Sequence, residues 1–97
     1  MIDRSVLSDE VIARSIRGQV VFMSKAHNDV LTLNETASFI VENLASARDL
    51  GDCSARVMRE FKIDDAARVE RDIRSLLASL REKGIVKAEA VARFLDE

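Results

Sequence analysis

His27 and Cys53 are the one histidine and the one cysteine of this chain, and a search for chemistry begins with them. A histidine can move a proton near neutral pH, and a thiolate can attack a carbon or bind a soft metal. Neither residue has company. His27 lies in "AHND", where nothing close in sequence supplies a base, a nucleophile or a second ligand, so a solvated turn residue is expected. Cys53 falls in helical register with Leu50, Val57 and Phe61, where a free thiol behaves as a small hydrophobe. The sequence contains no glycine-rich phosphate loop, HExxH, CxxC or GxSxG. No catalytic residue, metal site or cofactor is therefore expected, and the chain reads as a non-enzyme.

Arg71, Arg74 and Arg81 form a second suggestive set, close together on one side of a long predicted helix. A shorter helix precedes it across "FKIDDAARVE", and two amphipathic helices with a short turn make a helix-turn-helix pattern. A winged-helix DNA-binding regulator is thus the alternative reading. Against it, Glu70, Asp72 and Glu82 interleave with the arginines. The strands also precede the helices instead of forming a wing after them. Fifteen basic residues against seventeen acidic give a net charge of −2, the wrong sign for a duplex partner. Nucleic acid is not expected.

The elements that must position any site can be read from period and caps. "VIARSIRGQVVFMSKAHNDVLTL" is rich in Val and Ile and is broken at Gly18 and at Asn28–Asp29, which suits hairpins. Three antiparallel strands are predicted near 11–16, 19–25 and 30–33. The apolar run Val20–Met23 suggests a central strand covered on both faces. At Asn34 the period changes from 2 to 3.6. Asn34 is a strong N-cap, Glu35 suits the positive helix end, and Ala37, Ile40, Val41 and Leu44 form one stripe.

Asp49 then caps a second helix carrying Leu50, Cys53, Val57, Met58 and Phe61. Asp64 or Asp65 caps a third, about Ala66 to Lys83, with Val69, Ile73, Leu76, Leu77 and Leu80 buried and Gly84 as its stop. "AEAVARFL" suits a short fourth helix, and residues 1–10 show no pattern. The fold class is α+β: a three-stranded antiparallel sheet followed by three helices, winged helix-turn-helix-like. Ninety-seven residues suit one domain, 1–97, with its core at about 11–86. Four Phe and no Trp or Tyr make that core aliphatic. No apolar run is long enough to span a bilayer, and the N-terminus is charged where a signal peptide is apolar. A cytoplasmic location without membrane contact is expected.

A three-stranded sheet leaves an edge of unpaired N–H and C=O groups, which proteins normally protect. The strand "DVLTL" has neither Pro nor Lys to blunt it. Such an edge can accept a peptide as a further strand, with the long helix as the second wall of a groove.

Several stretches together resemble the PqqD-like family, also called RiPP recognition elements. They are "VLTLNETASFI", similar to the family's strand–LNET–helix corner; "F-x-I-D" at Phe61–Asp64; and "ERDIRSLLASLREKGIV", in which Asp72 and Gly84 match recurrent positions. The resemblance covers roughly Val11 to Val86. It implies a small non-catalytic domain that binds the leader segment of a ribosomally made precursor peptide and presents it to a maturation enzyme, such as a radical SAM protein or a leader peptidase. The leader is expected along Asp29, Val30, Leu31, Thr32 and Leu33, with Ile73, Arg74, Leu77 and Arg81 on the helix wall. The same edge could also serve a homodimer.

Overall fold

The chain first reverses at Arg17 and Gly18, which both adopt the left-handed conformation (φ 53° and 81°). Two such residues in succession make the tight turn whose twist matches a two-residue hairpin. In the computed structural model, which describes residues 2–25 and 28–95, this turn joins β1 (Val11–Ile16) to β2 (Gln19–Ser24). A second turn, with Asn28 at φ 55°, leads into β3 (Asp29–Thr32). His27 lies outside the described residues. The sheet is antiparallel in the order β1-β2-β3, so β3 is an edge.

Register sorts the side chains into two faces. Ala13, Phe22 and Leu31 share one row, and Arg14, Val21 and Thr32 share the next. Successive residues point to opposite faces. Val11, Val20, Phe22, Leu31 and Leu33 therefore point inward, where Val20 and Phe22 are fully buried under the helices. Ile12, Arg14, Ile16, Val21, Met23, Val30 and Thr32 point outward. Only one face of β2 is covered: Val21 and Met23 remain partly exposed, Ile16 is 52% exposed and Val30 67%. The double cover suggested by the apolar run does not form: the inward Val20 and Phe22 are buried, whereas the outward Val21 and Met23 are only half-buried.

The caps fall where local chemistry puts them. Asn34 accepts from the Ala37 N–H (2.8 Å) to start α1 (Glu35–Glu42). Asp49 accepts from the Asp52 N–H (2.8 Å) to start α2 (Leu50–Phe61). Of the two candidates for α3 (Ala66–Glu82), Asp65 is the cap, accepting from the Arg68 N–H (3.2 Å). At its end Gly84 sits at φ 73°; its N–H reaches Arg81 C=O (3.0 Å) and the Ile85 N–H reaches Leu80 C=O (2.9 Å). That pair of bonds is a Schellman stop.

Beyond the stop the chain does something the sequence pattern did not disclose. Leu7 bridges Val86, the Ser8 N–H donates to Ile85 C=O (3.0 Å) and the Lys87 N–H to Val6 C=O (2.9 Å). The patternless N-terminal stretch thus contributes Val6 and Leu7 to the core. A short α4 (Ala88–Val91) follows, as expected, and Phe94 is buried behind it. Arg93 fastens this end: it donates to the Leu44 and Ala47 carbonyls and lies 4.3 Å from the Phe94 ring centre.

Candidate functional site

The corner at Leu33–Ser38 fixes the free edge. Leu33 N–H donates to Val20 C=O (2.9 Å), but the Val20 N–H does not return to Leu33. It donates instead to Ser38 Oγ (2.8 Å), whose hydroxyl donates to Leu33 C=O (3.4 Å). Ser38 is buried, so α1 itself finishes the β2–β3 ladder and lets the chain leave the sheet without an orphaned polar group. A serine on the otherwise apolar stripe of "ETASFIVE" was the one sequence signal for this role.

Antiparallel partners alternate between residues that turn both backbone groups toward the neighbouring strand and residues that turn them away. Counting back from Leu33, residues Leu31 and Asp29 face β2. Val30 and Thr32 face the other way, where among the described residues the sheet has no further strand. Among the described residues, no Cα of α3 comes within 8 Å of a Cα of β3. The edge is open and its far wall stands off.

Two hollows occupy the gap. One, about 480 Å³, lies between Phe22, Asp29 and Leu31 on the sheet and Lys83 and Ile85 at the end of α3. The other, about 530 Å³, lies beyond Asn34, between α1 and the Arg68, Asp72, Ser75 and Leu76 side of α3. The start of α3 therefore stands near the end of β3, and its end near the start of β3. Charges of both signs rim the trough: Asp29 and Lys83 at one end, and the exposed Arg68–Asp72 pair (3.9 Å) at the other.

The expected residues divide accordingly. Asp29, Val30 and Leu31 line the first hollow, and Thr32 continues the edge. Leu33 is core, 6% exposed. Ile73 and Leu77 have no exposed surface and pack in the core, so they are no groove wall. Arg74 and Arg81 are exposed but line neither hollow. At about 100° per residue they sit roughly half a turn around α3 from Asp72. Arg81 also has an interaction of its own. The α3 side chains that border the hollows are those of the neighbouring flank, Arg68, Asp72, Leu76 and Lys83. An amphipathic stripe locates the centre of a buried face, but it does not say which flank borders the sheet.

Cys53 is buried, and loss of solvation pushes its thiol up to about 11, so it stays protonated at neutral pH. Among the described residues no cluster of His, Cys, Asp or Glu could hold a metal ion, and no helix is long and apolar enough to cross a membrane.

Comparison with known proteins places the fold among known relatives. The family described as coenzyme PQQ synthesis protein D (PqqD) matches residues 19–86. Among solved structures, TbiB1 in complex with the TbiA(beta) leader peptide is similar at a TM-score of 0.74 and 24% identity, over 84% of this chain and 94% of that one. A lasso peptide synthetase B1 complexed with the leader peptide is similar at 0.74 and 26% identity, with the same coverage. No curated protein sequence matches.

Proposed function

Because the chain belongs to the PqqD family, we propose that it is a non-catalytic recognition protein for the leader segment of a ribosomally synthesised precursor peptide. The leader joins the sheet as a fourth strand beside β3, antiparallel to it. One observation carries this reading: Val30 and Thr32 turn their backbone groups to an edge with no neighbour, and a trough separates that edge from α3. Two similar structures that were solved with leader peptides support it.

The guest backbone bonds to Val30 and Thr32, which sets its register. Guest residues paired opposite Leu31 and Asp29 turn inward, toward the first hollow. An earlier guest residue, near Asn34, reaches the second hollow. Apolar side chains fit the Phe22, Leu31 and Ile85 floor, and Lys83 favours a guest carboxylate at the rim. The free leader must order itself to bind, so an affinity of about micromolar is expected.

The bound precursor is handed to a maturation enzyme, a radical SAM protein or a leader peptidase, in the cytoplasm. The DNA-binding alternative is not favoured: acidic residues interleave with the α3 arginines and the net charge is −2. Titration of a labelled leader into the purified chain tests the proposal. Saturable binding that Thr32→Pro abolishes in a folded protein is the expected result. Full affinity in that variant would contradict strand addition at β3.

A further inference from the structure

The outer face of the sheet is left bare. In antiparallel sheets with one solvated face, the outward positions are normally polar. Here Ile12, Ile16, Val21, Met23 and Val30 point outward, with Ile12, Val21 and Met23 half-buried and Ile16 and Val30 exposed. Ile16 and Val30 stand out as the large apolar side chains most exposed to water. Ile12, Met23 and Val30 make one apolar row across the sheet, and apolar side chains gathered on a solvated face mark a candidate interaction surface.

Its charge and its position say what kind of partner fits. Arg14 stands among Ile12, Ile16 and Val21, and its side chain makes no ion pair or hydrogen bond with any described residue. None of the outward positions of the three strands is an Asp or Glu. A second copy stacked face to face would bring two Arg14 guanidinium groups into an apolar interface whose strands carry no acid, Glu10 standing only at the rim just before β1, which is unfavourable. A different protein that brings a carboxylate pairs Arg14 and buries the patch.

Position adds a second argument. Val30 and Thr32 have their side chains on this outer face while their backbone groups serve the open edge. A guest strand at β3 therefore widens the same face from three strands to four, and alternate guest side chains lie flush with Val30.

We propose that the outer face, Ile12, Arg14, Ile16, Val21, Met23 and Val30, docks the peptide-processing enzyme through an apolar surface carrying a carboxylate opposite Arg14. The surface is complete only when the guest strand is in place. The inference rests on the peptide-binding reading above, and its test separates the two.

The test compares the wild-type chain with Arg14→Glu and Ile16→Glu, two surface changes that leave the β3 edge and the trough untouched. Leader affinity is measured first. Binding of a purified leader peptidase, a partner class named above, is then measured with and without leader. The expected result is leader affinity unchanged within about twofold in both variants, and enzyme affinity reduced by roughly tenfold or more. In the wild type, enzyme binding tightens when leader is present. Unchanged enzyme binding in both variants overturns the docking face and leaves peptide recognition standing. A wild-type chain that binds no leader removes the premise itself. Sedimentation showing a wild-type dimer that Arg14→Glu disperses assigns the face to a second copy and overturns the proposal.

Discussion

Thr32 and Leu31 are adjacent, and the ladder gives them opposite duties. The Thr32 N–H points away from β2, so Thr32→Pro removes no bond of the native sheet, and the preceding Leu31 is already extended as proline requires. Circular dichroism should show this variant folded, and leader titration should show binding lost. Leu31→Pro removes a bond to Phe22 within the sheet and should lower stability by at least about 1 kcal/mol in urea. Ser38→Ala leaves the buried Val20 N–H without its acceptor, and about 1–3 kcal/mol of stability should go with it. Cys53, buried and with its thiol pushed up to about 11, should resist iodoacetamide at pH 8 until the chain is unfolded. Rapid alkylation of the native protein would contradict that burial.

Helix ends were the most legible part of the sequence, because each cap is a contact between residues three apart. Asn34, Asp49 and Gly84 act where their types and positions indicated. Gly84 is a further test: a Cβ there meets nothing within 4 Å, so Gly84→Ala costs only the left-handed conformation at φ 73°. That cost is about 1 kcal/mol, readable as a lower urea midpoint at unchanged slope. What the sequence hid was non-local. The Leu7–Val86 bridge joins residues from opposite ends of the fold, and no short period encodes it. The direction of each β3 amide depends on a partner strand. The wall of the trough depends on how α3 is rolled against the sheet, which is why Ile73 and Leu77, expected on the wall, are core, and why Asp72, Leu76 and Lys83 are the side chains that border the hollows.

Among the described residues, the helices build the core on one face of the sheet, and no strand pairs with the outer edge of β3. The C-terminal segment, as far as it is described, packs on the frame. Arg93 ties it to the Leu44 and Ala47 carbonyls, far along the chain from β3. Arg93→Ala should therefore destabilise the fold by about 1–2 kcal/mol while leader affinity stays as it was. A loss of affinity at full stability would place that segment in the site. The account depends most on two backbone amides. Amide hydrogen exchange followed by NMR during leader titration reads them directly. Leu31 should be protected before any peptide is added, and Val30 and Thr32 should become protected only as the leader saturates. Saturable leader binding that leaves Val30 and Thr32 exchanging at their free rates would contradict strand addition at β3.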